Sequence, residues 1–106
     1  MSRIFRVVTH GRFDELAPAS RAWLADHVLD HDGTFAAFGP EPNLSYTRQL
    51  DVFSVRQEVR VPDDTQDADS VAASVAEREA GEFLRILGIG HRLVGRRVSE
   101  MTAPEH

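Results

Sequence analysis

The chain has no cysteine, which excludes a disulfide framework, a zinc–thiolate site, an iron–sulfur cluster and a cysteine nucleophile. It has no lysine either: all 12 basic residues are arginine. Schiff-base chemistry, a P-loop lysine and a lysine general base are excluded with it. No run approaches the roughly twenty apolar residues that span a bilayer. The opening MSRIFRVVTH lacks the apolar stretch of a signal peptide. No membrane association is expected, and the cytoplasm is the expected location. Aromatics make up only 8% of the chain and stand in apolar settings, unlike a sheet that stacks RNA bases. A GxSxG nucleophile elbow is missing. Gly88-Ile89-Gly90 follows a helical pattern rather than opening one, so it is not a strand-to-helix phosphate loop. No cofactor is expected.

What is present describes an ordinary globular protein. The 106 residues, 42% hydrophobic and 27% charged, suit one domain over 1–106 that buries about two-thirds of its unfolded surface. The net charge of −5 argues against nonspecific nucleic-acid binding, which needs a basic face to neutralise phosphates. Arginine as the only basic residue, beside abundant alanine, is what a GC-rich genome produces.

Asp51–Val61 (DVFSVRQEVRV) organises the chain. Phe53, Val55, Val59 and Val61 alternate with Ser54, Arg56, Glu58 and Arg60, and only Gln57 interrupts the apolar side. Side chains alternate across a strand, so this is one long strand with a buried and a wet face. Before it, Arg3–Thr9 reads as a first strand that Gly11 breaks. Pro18 suits the first turn of a helix over Ala19–Asp30, with Gly33 as its stop. Thr34–Phe38 reads as a short strand ending in the turn-forming Gly39–Asn43. Leu44–Thr47 is extended and belongs either to that strand or to the long one. A second helix is expected over Ala68–Leu87, with Asp67 or Asp69 as N-cap and Gly88 and Gly90 at its end. Arg92–Met101 is the last strand, and residues 102–106 form a loose tail. The order βαββαβ predicts a ferredoxin-like α+β fold, a four-stranded antiparallel sheet with two helices on one face.

Three groups of residues could carry chemistry. His27 and His31, four apart, share a helix face, a spacing used for metal ligands; the plainer reading is a favourable interaction with a helix C-terminus. Glu79 falls near the middle of an apolar arc of Val71, Ala72, Val75, Ala76, Phe83 and Ile86, where a desolvated carboxyl would suit a general acid or base; the favoured reading is that it reaches the rim and pairs with an arginine, because glutamate is rarely fully buried. The wet sheet face brings Arg6, Val8 and His10 beside Ser54, Arg56, Glu58 and Arg60. Strand four adds Arg92, Val94, Arg96 and Val98, or the alternate set with Arg97. Guanidinium groups around one carboxylate suit a carboxylate or phosphate ligand, although a solvated sheet face is ordinarily charged.

The segments FRVVTHGRF, Asp30-His31-Asp32, Leu44-Ser45-Tyr46-Thr47-Arg48-Gln49-Leu50-Asp51 and Gly90-His91-Arg92 with Met101 together resemble a family of short single-domain proteins of unknown function from actinomycetes. Arg6 and Tyr46 match its pattern, whereas His10 and the Pro40–Pro42 loop depart from it. The resemblance implies a bacterial cytosolic protein and transfers no catalytic residue.

The expected function is therefore binding of a small anionic metabolite on the open sheet face, through Arg6, Arg56 and Arg60 with Glu58 orienting one arginine, in a homodimer. A cofactor-free enzyme of the dimeric α/β-barrel type is the rival, with His10 or Glu79 as base and an apolar cavity between sheet and helices. A structural protein whose sheet face is its homodimer interface is the third reading.

Overall fold

The computed structural model describes residues 2–28 and 38–101. Over them the order is β1 (Ser2–Phe13), α1 (Pro18–Asp26), β2 (Asn43–Tyr46), β3 (Val52–Pro62), α2 (Ala68–Ile86) and β4 (His91–Met101). The strands form one sheet in the order β2-β3-β1-β4, and every neighbouring pair is antiparallel. This is the ferredoxin-like α+β arrangement expected from the sequence.

Alternation decides which residues face the helices. On β1, Phe5, Val7, Thr9 and Gly11 are buried, and on β3 Phe53, Val55, Gln57, Val59 and Val61. Leu44 and Tyr46 of β2 extend the same face. Against it lies α2, whose buried residues are Ala68, Ala72, Ala73, Ala76, Ala80 and Leu84. The helix thus packs through a row of small side chains, which lets its backbone approach the sheet. This corrects the apolar arc read from the sequence, since Val71 and Ile86 are exposed.

Gly11 does not break β1, which runs on to Phe13. A Cβ at Gly11 would strike the ring of Phe53, its cross-strand partner, and the Arg92 carbonyl. The aromatic ring occupies the space over the bare Cα, so glycine is required inside the strand. Beyond it, Phe13 packs edge-on against Tyr46, with ring centroids 5.7 Å apart, and lies 5.1 Å from Phe53.

Helix α1 begins at Pro18, one residue earlier than expected, and ends at Asp26 with His27 as its C-cap. The buried Tyr46 hydroxyl donates to the Leu24 carbonyl at 2.6 Å, satisfying an acceptor at a helix end. The expected helix end beyond Val28, Gly33 and most of Thr34–Phe38 lie outside the described residues, as does the tail from Thr102. Of Leu44–Thr47, the first three residues belong to β2, a separate strand paired with the start of β3. Asp67 is the N-cap of α2, but its backbone is left-handed (φ 50°) and its side chain makes no capping bond. Gly88 (φ 71°) ends that helix, with its N–H donating to Arg85 and that of Ile89 to Leu84, in keeping with glycine's freedom in the left-handed region. No helix among the described residues is long and apolar enough to cross a membrane.

Candidate functional site

Residues directly opposite in an antiparallel pair share a face, so the register fixes the composition of the side of the sheet away from the helices. Moving along β1, Ile4 stands between Arg60 and Met101, Arg6 between Glu58 and Ser99, Val8 between Arg56 and Arg97, and His10 between Ser54 and Gly95. Arg12 lies between Val52 and Arg92. Among the described residues the face therefore carries Arg6, Arg12, Arg56, Arg60, Arg92 and Arg97 against the single carboxylate of Glu58. A chain of net charge −5 presents one strongly basic surface, and its acidic excess lies elsewhere.

The pairing of β4 contains an irregularity that no alternation rule anticipates. His10 pairs with Gly95, but Gly11 pairs with Leu93, so Val94 is an extra residue, a β-bulge. Past the bulge the parity of the strand reverses. Arg92 and Arg97, five apart and on opposite faces of any regular strand, end on the same open face. Arg96 turns to the helix side and donates to Glu77 of α2 at 2.8 Å. Neither of the two strand-four sets considered from the sequence is correct as a whole, because each assumed an unbroken strand.

The four residues expected to bind a ligand are neighbours on this face. Arg6 Nε donates to Glu58 Oε1 at 3.3 Å, and its guanidinium lies 5.0 Å from the Phe38 ring centroid. Glu58 thus orients Arg6. Arg60 stands at the far end, beside Ile4. Arg56 is placed differently. Its Nη1 donates to Ser45 Oγ at 3.3 Å, at the margin of a depression of about 200 Å³ lined by Ser45, Tyr46, Thr47, Val52, Phe53, Ser54 and Arg56. Ser54 Oγ lies 3.3 Å from His10 Nδ1, so the serine donates or accepts according to the imidazole tautomer. One guanidinium and the Ser45 and Ser54 hydroxyls line the depression, and the His10 imidazole adjoins it through Ser54.

His10 and Glu79 lie on opposite sides of the sheet and cannot serve one site. Glu79 is half-buried on α2 and accepts from Gln57 Nε2 at 3.1 Å. It reaches the rim, but its partner is an amide rather than the arginine that its position suggested. Between β3 and α2 runs a groove of about 380 Å³ lined by Pro40, Gln57, Glu58, Val59, Arg60, Val75 and Glu79. It is an open, mixed-polarity groove at the sheet edge, not the apolar cavity that a barrel-type enzyme would place there. His27 stacks on Trp23, centroids 4.2 Å apart, with its Nδ1 2.7 Å from the Trp23 carbonyl. His31 lies outside the described residues, and no group of three or more potential metal ligands occurs among those described.

Sequence reasoning missed the contributions of Ser45 and Arg12 to this face. Ser45 sits in a four-residue strand too short to show alternation, and Arg12 follows the glycine that seemed to end β1.

A family model described as a family of unknown function (DUF6204) matches residues 1–105. No curated protein and no solved structure matches the chain. The chain belongs to that family, whose description assigns no activity.

Proposed function

With a family that carries no assigned activity as the premise, we propose that this protein binds a small anionic metabolite on its open sheet face, in the depression beside Arg56. The observation that carries the proposal is the convergence of Arg56, Ser45 and Ser54 around a space of about 200 Å³, with His10 beside Ser54, on a face that among the described residues pairs six arginines with one carboxylate. The guanidinium supplies charge-assisted hydrogen bonds suited to phosphate or carboxylate oxygens, and the hydroxyls supply neutral donors. Arg6, Arg12, Arg60, Arg92 and Arg97 raise the local potential and draw anions toward the depression. Arg6 and Arg60, two of the three arginines first expected to contact the ligand, act here at a distance. The size favours phosphate or a short carboxylic acid. The setting implied by the family resemblance is the cytoplasm of an actinomycete.

A homodimer closed sheet to sheet is the natural way for such a fold to cover its open face. Here it brings two arginine-rich surfaces together, and like-charge juxtaposition costs several kcal/mol. Anions held between the sheets offset that cost, which favours the binding reading over the purely structural one.

Thermal unfolding with phosphate, malonate or chloride at matched ionic strength tests the proposal. Phosphate or malonate is expected to raise Tm of the wild type in the manner of a ligand bound only by the folded state, and Arg56→Ala is expected to lose that rise. Equal stabilisation of wild type and variant, or a rise with chloride as large as with the other anions, refutes it.

A further inference from the structure

We propose that the edge groove between β3 and α2 is a second binding site, for a small protonated amine with a short apolar body, and that Glu79 is its counter-ion. The argument starts from Gln57. It sits on the helix face of the sheet, 2% exposed, where the alternation of β3 otherwise places valine and phenylalanine. Its Nε2 donates to the Pro40 carbonyl at 3.0 Å and to Glu79 Oε2 at 3.1 Å. Both partners only accept, so the amide orientation is fixed with nitrogen toward the groove's rim. Its Oε1 is buried with no partner among the described residues, and so is the Thr9 hydroxyl. A buried amide in this position costs stability, and the structural return is that one carboxylate oxygen of Glu79 is held in place.

Glu79 itself is half-buried, and among the described residues it forms no ion pair. Two other charged residues line the groove: Glu58 is taken up by Arg6, and Arg60, whose strand position belongs by register to the opposite face of the sheet, makes no ion pair with Glu79. The apolar part of the lining consists of Val59, Val75 and Pro40. A fixed carboxylate with one oxygen engaged, beside a carbonyl and apolar walls, is the complement of an ammonium group carried on a hydrocarbon stem. The volume of about 380 Å³ falls at the small end of ligand sites. The groove shares no lining residue with the depression on the open face, and Glu79 gives it the opposite charge preference.

Benzylammonium, with benzyl alcohol as its uncharged counterpart, provides the probe pair, followed by amide shifts in ¹⁵N–¹H correlation spectra. Benzylammonium is expected to shift the signals of Gln57, Val59, Val75 and Glu79, and benzyl alcohol to bind about tenfold more weakly, the loss of one charge-assisted interaction. Glu79→Gln keeps the shape and is expected to weaken benzylammonium by a similar factor. Val75→Phe fills the groove and is expected to abolish binding while leaving Glu79 in place, so it decides the matter if Glu79→Gln fails to fold. Equal affinity for amine and alcohol, undiminished binding by either variant, or no shift of groove signals by benzylammonium overturns the proposal. Arg56→Ala is expected to leave amine binding unchanged.

Discussion

The two faces of the central strands share a backbone and differ in almost everything else. Toward α2, Phe5, Val7, Val59 and Val61 pack on the alanines in one apolar cluster, and Leu44, Tyr46, Phe53 and Val55 form another with Leu24, Ala80 and Leu84. Away from the helices the intervening positions carry arginines, serines and a histidine. The packed face is constrained by volume, because each side chain fills space that no neighbour can supply. The open face is constrained by charge, because its residues act mainly through the field they create together. The same alternation that separates these constraints also shows where the rule is broken: Gln57 and Thr9 put polar atoms on the packed face, and Ile4 and Val8 put apolar groups on the open one.

The largest effect should come from shortening a side chain on the packed face. Phe5, 1% exposed, replaced by alanine is expected to cost about 3–5 kcal/mol in urea unfolding. Arg56→Ala, on the other face of the same sheet, is expected to stay within about 0.5 kcal/mol. Comparable losses for both would mean that the open face is also a packing surface, as in an obligate dimer.

A smaller effect tests the bulge. Arg12 and Arg92 are directly opposite, and like charges in that position destabilise. Arg92→Glu is expected to raise stability by about 0.2–1 kcal/mol, an increase that vanishes in an Arg12→Ala background. A gain that persists without Arg12 would contradict the register beyond Gly95.

The smallest effect concerns the edge of the sheet. Arg3 donates to both carboxylate oxygens of Glu100, at 2.9 and 2.7 Å. These hydrogen bonds hold the Glu100 carboxyl below the usual carboxylate range. A lowered carboxylate pKa contributes stability that is present above the unfolded-state value and is lost as pH falls through the folded-state one. Arg3→Ala is therefore expected to flatten the acid side of the stability profile slightly. The difference from wild type should shrink in about 0.5 M salt, because the pair is exposed and screened. An unchanged acid limb would show that the pair is inert.

Much of this was legible in the residues. The period-two pattern of Asp51–Val61 identified β3 and both its faces, because alternation across a strand is a local property. Gly88 marked the end of α2 for an equally local reason, its left-handed backbone. The two arginines beside Arg6 were also found, since strand order follows from the βαββαβ sequence and the handedness of its crossovers. Gly11 misled because glycine has two meanings: a break in isolation, and a seat for an aromatic ring when Phe53 lies across from it.

By itself, then, the sequence determined the element order, the fold class and the segregation of apolar from charged residues on β3, all of which depend on near neighbours along the chain. Only the tertiary structure decided which residues of β4 join the open face, because the bulge that shifts their parity exists only in the pairing of β1 with β4. It alone showed that Ser45 meets Arg56 and Ser54 meets His10, and that Gln57 is spent on holding Glu79. Those relations span strands and helices far apart in sequence, and hydrogen-bond geometry, not composition, brings them together.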